Sequence, residues 1–170
     1  GGDNGDNGGD GNDGGDGTVI AVDTVIPTEL TGVITDSGAT TSADFGSRAI
    51  FTIDVAALTG GAIDPTNLVL GNDVVFEISG GALRVSPPAT SSSATASVLP
   101  NSSCILNLPA GAVIVGGSAE DFMVIEQGCA IVAEGTATAP VVFTARAEID
   151  GNVEDGDRGL WGGLVINGRA

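Results

Sequence analysis

The pattern of apolar and polar positions is most regular from residue 104 onward. Apolar runs of a few residues follow one another there, and each run ends at a Gly or a Pro. Three positions recur at a constant offset of 17 residues, with Leu108, Gly111 and Ile114 returning as Ile125, Gly128 and Ile131. Short strands at a short, fixed spacing are typical of a chain that coils and stacks on itself. The pattern therefore predicts stacked coils of β-strand.

Alternation with a period of two predicts which side chains face into this stack. The expected inward residues are Leu106, Leu108, Met123, Ile125, Leu164 and Ile166. The expected outward residues are Asn107, Glu126 and Asn167. We expect Leu108, Ile125 and Ile166 to stack in one inward column. Glycines at 111, 128 and 135 are expected at the corners between strands.

The pattern before residue 104 is less regular. It predicts short strands at 18–22, 49–55, 68–70, 74–78 and 82–85. A short helical turn is expected at 54–58, before Gly60 and Gly61. Residues 86–103 are rich in Ser, Pro, Ala and Thr, which favours an exposed loop that interrupts the stack. A second loop is expected at 146–159.

Residues 1–17 contain only Gly, Asp and Asn. Such a segment has no apolar side chain to bury and is predicted to be disordered. The simplest interpretation is a solvated spacer. The alternative is calcium binding through Asp10 and Asp13, because residues 8–13 match the first six positions of the RTX calcium repeat. Only one copy is present, and position 15 is Gly where the repeat has a large apolar residue.

The amino-acid composition is consistent with closely stacked strands and restricts the classes of binding partner. The 170 residues are 42% hydrophobic, with 28 Gly and 4% aromatic residues, a mixture that suits close stacking of strands. The net charge is −17, which excludes a nucleic-acid partner and favours cations such as Ca²⁺ or a salty medium. The absence of His removes His-dependent catalytic triads and most zinc sites.

The C-terminal part of the chain contains several short sequence motifs in a fixed order. These elements are Gly111-Ala112-Val113-Ile114, Gly128-Cys129-Ala130-Ile131-Val132-Ala133-Glu134-Gly135-Thr136, Pro140-Val141-Val142-Phe143-Thr144 and Trp161-Gly162-Gly163-Leu164-Val165-Ile166-Asn167-Gly168. Through these motifs the region resembles a family of bacterial surface proteins, many of them lipoproteins, with a pectate-lyase-like fold. The resemblance covers about residues 104–170. Ala112 and Cys129 depart from the commonest residues of the family.

The resemblance implies an all-β fold, a right-handed parallel β-helix, which the residue pattern extends with irregular N-terminal strands and a disordered tail. The chain is thus divided into an acidic tether at 1–17, N-terminal strands and first coils at 18–103, and regular coils at 104–170, which the resemblance implies continue beyond residue 170. It also implies the extracellular or outer-membrane surface of a bacterium. A lipidated Cys before Gly1 would make the tether a lipid anchor, with the signal peptide already removed. The alternative is a plain linker.

An acidic loop supplies the best candidate metal ligands. These are Asp150, Asn152, Glu154, Asp155 and Asp157. The first three have the one-three-five spacing of a calcium loop, but position six is not Gly and position twelve is Trp161. The alternative is a solvated loop that holds Arg158 by an ion pair. The pectate-lyase-like fold suggests a further hypothesis, a calcium-dependent polysaccharide lyase that uses Arg146 or Arg158 as its base. Fold alone does not establish function.

Cys104 and Cys129 are both expected at inward positions, with Cys129 stacked over Ala112. Their separation is 25 rather than 17, which predicts neighbouring coils but not equivalent sites. A secreted protein permits a disulfide between them, and the sequence leaves the bond open.

Three functions remain as hypotheses. The first is a structural or adhesive β-helix at the cell surface without catalytic activity. The second is a calcium-dependent enzyme that processes polysaccharides. The third is a subunit of an extracellular fibre, assembled end to end through the unpaired strand at 161–170.

Overall fold

The protein consists mostly of short β-strands. The computed structural model describes residues 19–87 and 104–167. Its strands are β1 Ile34–Thr40, β2 Ala49–Asp54, β3 Ala62–Ile63, β4 Val75–Ser79, β5 Ala82–Val85, β6 Ile105–Leu108, β7 Val113–Gly116, β8 Phe122–Ile125, β9 Ala130–Ala133, β10 Val142–Ala145 and β11 Gly163–Ile166. Helical elements within these ranges are α1 Arg146–Ile149 and the 3-10 turns Thr28–Leu30, Ala43–Phe45, Val55–Ala57 and Thr59–Gly61.

The strands form three sheets, and successive strands of the chain belong to the first, second and third sheet in turn. The first sheet has the order β1-β2-β4-β7-β10, the second β11-β8-β5-β3, and the third β6-β9. We call one passage of the chain through the sheets a rung. The first rung is β2–β3, the second β4–β6, the third β7–β9 and the fourth β10–β11. Strands of successive rungs pair in parallel, whereas β1 runs antiparallel to β2 and makes the first sheet mixed. Stacking of short strands is confirmed, and the right-handed turn stays a prediction.

The main hydrophobic core lies between the three sheets. Alternate residues of each strand point into it, as period-two alternation requires. Members that are at most 1% exposed include Phe76, Ile78, Leu83, Val85, Leu106, Ile114, Met123 and Ile125. Leu106, Met123 and Ile125 were predicted to face inward, and their burial confirms the parity of β6 and β8.

A second apolar cluster lies on the outer face of the first sheet. Ile50, Val75, Val113 and Val142 pair in one ladder across all four rungs. Three of them are fully buried, because α1 and the loop before β2 lie over the sheet. Ile149 of α1 packs on this cluster, and its carbonyl accepts a hydrogen bond from Ser42 N at 2.8 Å. The loop predicted at 146–159 therefore begins as a short helix that covers the sheet.

The predicted inward column is partly wrong. Ile125 pairs with Ile166, as predicted, and its other neighbour is Val85. Leu108 pairs with Ala133 in the third sheet and has no place in that column. A full rung covers three sides of the stack, whereas an offset of 17 moves the chain round only two sides. The repeat is present in the sequence, but it relates positions two sides apart along the chain instead of stacked positions on one side.

The end of the stack at the first rung is covered by the segment before it. Ile34 of β1 pairs with Ile53 of β2 and is 2% exposed, and Leu30 is also buried. Before it, Val25 and Val69 form an isolated antiparallel bridge. The strand prediction at 18–22 is therefore wrong for the described residues 19–22, and at 68–70 only Val69 takes part in a bridge. The predicted turn at 54–58 is confirmed, with Asp54 Oδ1 accepting from Ala56 N at 3.0 Å.

The other end of the stack exposes apolar residues of the fourth rung. Ile166 pairs with buried Ile125 but is 59% exposed, and Val165 is also exposed. No described residue stacks on the outer side of β11. The prediction that Ile166 faces the core is thus right in register and wrong in burial, because an inward position is buried only between two rungs.

The predicted corner glycines serve two different purposes. Gly111 and Gly128 have φ values of 83° and 87°, a region that favours glycine. Gly135 is needed for space, since a Cβ there would lie 2.7 Å from Val141 N. In the described part of the chain, no helix has the length and hydropathy needed to cross a membrane.

Candidate functional site

The acidic loop is exposed and engages its carboxylates locally. Asp150 Oδ2 accepts a hydrogen bond from Arg146 Nε at 2.9 Å, and Asp157 Oδ2 accepts one from Glu154 N at 2.9 Å. Asn152 is held through its backbone, which donates to Ala147 O at 2.9 Å. Within residues 19–87 and 104–167, no three acidic or cysteine side chains gather as a metal site. The calcium prediction for this loop stays a prediction, and Asp10 and Asp13 lie outside the described residues.

Arg146 forms ion pairs with two carboxylates from different rungs. Its Nη1 lies 2.6 Å from Glu77 Oε2 and its Nε lies 2.9 Å from Asp150 Oδ2. Glu77 belongs to β4, so the arginine at the end of β10 reaches across β7. Gly117 leaves room for this contact, because a Cβ there would lie 2.9 Å from Glu77 Oε1. The sequence singled out Arg146 and Asp150 but missed Glu77, which lies 69 residues away along the chain.

The ion pair of Arg158 that belonged to the solvated-loop alternative does not form with any described residue. Arg158 is exposed, and it forms no ion pair with any residue in the described ranges. Asp150 pairs with Arg146 instead, four residues before it. This pairing follows from α1, whose single turn places the two side chains on one side.

Cys104 and Cys129 form a disulfide, with their Cα atoms 4.7 Å apart. Their separation of 25 residues is also the separation of the ladder partners Ile105 and Ala130. Backbone pairing continues to the cysteines, since Ala130 N donates to Cys104 O at 2.9 Å. The expectation that the cysteines occupy non-equivalent sites, with Cys129 over Ala112, is therefore wrong. The bond joins equivalent corners of the second and third rungs.

Arg48 connects the corners that precede three successive rungs. Its Nε donates to Phe45 O at 3.1 Å, and its Nη1 donates to Asn72 O at 3.1 Å and to Gly111 O at 2.9 Å. Burial lowers the pKa of the Arg48 guanidinium, because desolvation disfavours the charged form. No carboxylate of the described residues forms an ion pair with it.

Asn72 continues the same line of contacts at the corner before β4. Its Nδ2 donates to Ala110 O at 2.8 Å, which ties the second rung to the third. Its Oδ1 accepts from Val22 N at 2.8 Å, which holds the N-terminal segment against the stack. Sequence reasoning missed Arg48 and Asn72. The available signal was that each lies just before a predicted strand, one at 49–55 and the other at 74–78.

A groove with a volume of about 480 Å³ opens beside Arg48. It runs along the corners that precede β4, β7 and β10, between the N-terminal segment and the loop before β2. Its apolar lining includes Phe45, Val113, Pro140 and Val142, and its polar lining includes Asp44, Arg48, Asp73 and Thr138. The volume lies within the range of small-molecule sites, roughly 300–1,000 Å³. The groove is therefore a candidate binding site for a small molecule.

The C-terminal part of the chain resembles a known family in sequence. Residues 89–170 match the family model described as a pectate-lyase like beta helix domain. No curated protein and no solved structure matches the chain. The family match, the predominance of strands and the rotation of strands through three sheets all support a β-helix.

Proposed function

We propose that this protein is a structural or adhesive β-helix of the cell surface without catalytic activity. The acidic segment 1–17 tethers the protein to the cell surface, through a lipid anchor or an outer-membrane partner. The stacked rungs form a rod that extends from this tether. The net charge of −17 keeps the chain apart from other acidic polymers and favours solubility in a salty medium.

The observation that carries this proposal is the double ion pair of Arg146. A lyase of this kind needs an arginine or a lysine that is free to take a proton from its substrate. Arg146 instead donates to Glu77 and Asp150, and the three side chains are 15–29% exposed. A guanidinium held between two carboxylates ties the fourth rung to the second. This is the role of a structural residue.

The alternative is a calcium-dependent polysaccharide-processing enzyme. Two observations favour this alternative. Residues 89–170 match the model of a pectate-lyase like beta helix domain, and a groove of about 480 Å³ opens beside Arg48. In this alternative the loop 150–157 holds Ca²⁺, and the exposed Arg158 is the free base. Charged side chains then act on an acidic polysaccharide bound along the rungs.

Activity on an acidic polysaccharide separates the two functions. We expect no unsaturated product, measured by ultraviolet absorbance, when the protein is incubated with polygalacturonate and CaCl₂. A pectate lyase serves as the positive control. Product formation that requires calcium and is lost in Arg158→Ala, with the melting temperature unchanged, would establish the enzyme and overturn our proposal.

The fibre alternative meets an obstacle in the covered first end. Axial stacking requires the last rung of one molecule to pair with the first rung of the next. That surface is already occupied by Leu30 and Ile34, which are buried against the first rung. A fibre would have to displace β1, so sedimentation of long polymers at neutral pH would contradict the proposed rod.

A further inference from the structure

Arg48 has two N–H donors that no residue in 19–87 or 104–167 accepts. A guanidinium carries five N–H donors. Three of the contacts of Arg48 go to backbone carbonyls, and all of them use Nε and Nη1. Its Nη2 donates to no described residue, and the side chain lies in the lining of the groove. Among residues 19–87 and 104–167, Arg48 is the only half-buried arginine without a carboxylate partner.

Three hydrogen bonds to backbone carbonyls hold the guanidinium of Arg48 in one position. Its carbonyl acceptors belong to Phe45, Asn72 and Gly111, and the last two precede β4 and β7. A ligand that bound Nη2 would therefore not have to order this side chain. Preorganisation of this kind lowers the cost of binding.

The groove surrounds this cation with apolar side chains. Val142, in the outer ladder of the first sheet, is half-buried and lines the groove, whereas its ladder neighbour Val113 is 2% exposed and offers little surface. Phe45 and Pro140 also contribute apolar surface. Burial has removed part of the hydration of the Arg48 guanidinium, so an anion that binds it also loses water. A ligand with an apolar body loses less hydration in this groove than a heavily hydroxylated ligand does.

We propose that the groove binds a small organic carboxylate with an apolar body. The carboxylate accepts hydrogen bonds from Nη2 of Arg48, and the apolar body lies on Pro140 and Val142. This site is independent of the proposed structural role, since it requires neither catalysis nor calcium.

Two aspartates of the lining define the charge that such a ligand meets. Asp73 is engaged, because its Oδ1 accepts from Thr24 N at 3.0 Å and from Thr24 Oγ1 at 2.6 Å. Asp44 is exposed and has no hydrogen bond or ion pair with another described residue through its side chain. Asp44 therefore repels an anion without contributing to the fold, and its neutralisation should strengthen binding.

Calorimetry or NMR titration with hexanoate and hexanamide tests the proposal on the intact protein. The probes share an apolar chain and differ in charge, so we expect hexanoate to bind about tenfold more tightly. Asp44→Asn should tighten hexanoate binding about two- to threefold and leave hexanamide unchanged. Asp155→Asn, in the exposed acidic loop, is the matched control and should change neither.

Four outcomes would overturn the proposal. The first is equal binding of hexanoate and hexanamide, and the second is no detectable binding of hexanoate. The third is an affinity for galacturonate equal to that for hexanoate, which would mean that Pro140 and Val142 contribute nothing. The fourth is an unchanged affinity in Asp44→Asn. Arg48→Gln should abolish hexanoate binding; if it does not fold, the amide comparison and Asp44→Asn still decide.

Discussion

The two ends of the stack treat the same kind of apolar position in opposite ways. At the first rung, Ile34 of β1 lies beside Ile53 and is 2% exposed. At the fourth rung, Ile166 lies beside Ile125 and is 59% exposed. Both are isoleucines in terminal strands. The difference is that β1 turns antiparallel and covers the core with the segment before it, whereas β11 lies at the edge of the described stack.

This difference teaches that burial in a stack of rungs depends on neighbours along the axis. Val85, Ile125 and Ile166 form one inward column, and their exposed fractions are 0%, 1% and 59%. The strand, the parity and the residue type are suitable at all three positions. Only the presence of a rung on both sides separates the first two from the last. The alternation of a strand therefore predicts direction, and stacking decides burial.

The largest expected effect is that of Ile125→Asp in the middle of this column. The substitution places a carboxylate without a partner among aliphatic side chains, so it should cost about 4 kcal/mol or more of unfolding free energy. Urea unfolding followed by circular dichroism measures it. The matched control is Ile166→Asp, which should cost less than about 1 kcal/mol because the position is exposed. Equal losses in the two variants would contradict the comparison of the ends.

Removal of the disulfide should have the next largest effect. The double substitution Cys104→Ser, Cys129→Ser opens a loop of 25 residues, which costs about 3.5 kcal/mol by chain entropy. The loss should also appear in the wild type after reduction, measured as a lower urea midpoint. An unchanged midpoint in both cases would show that the parallel pairing of β6 with β9 holds the third sheet without the bond.

The covering of the first end can be weakened directly by Ile34→Ala. The side chain is buried against the first rung, so we expect a loss of about 3 kcal/mol. Thr35→Ala, at the exposed neighbouring position of the same strand, should change stability by less than about 0.5 kcal/mol. A loss as small as that of Thr35→Ala would mean that β1 lies on the first rung without stabilising it.

The smallest effect is expected for deletion of residues 1–17. This segment has no apolar side chain to bury, so the melting temperature in calcium-free buffer should be unchanged. A clear decrease on deletion would show that the acidic segment docks on the stack or on a partner. Repeating the measurement with CaCl₂ examines the calcium prediction for Asp10 and Asp13.

Much of the local structure could be predicted from the sequence. The strand at 82–85 is β5, and the predictions at 49–55 and 74–78 differ from β2 and β4 by one residue at their ends. Alternation within a strand is a local property, so Met123 and Ile125 could be assigned to the core correctly. The resemblance of residues 104–170 pointed to the β-helix that the family match supports.

The register and the candidate site could not be predicted, because both depend on the length of a rung. The offset of 17 suggested that Leu108 lies beside Ile125, and it separated Cys104 from Cys129. Corners of unequal length make the separation of stacked partners differ between the sheets, so no single offset describes the stack. Arg48 and Glu77 were missed for the same reason, since their partners belong to other rungs.

The sequence by itself determined that the chain forms short strands, that alternate residues face inward, and that glycines make the corners. These properties depend on neighbours along the chain. The tertiary structure decided which strands pair, that the cysteines meet, that β1 covers one end, and that Arg48 keeps Nη2 free of described partners beside an apolar groove. These properties depend on contacts between residues far apart in sequence, which exist only after the three sheets have stacked.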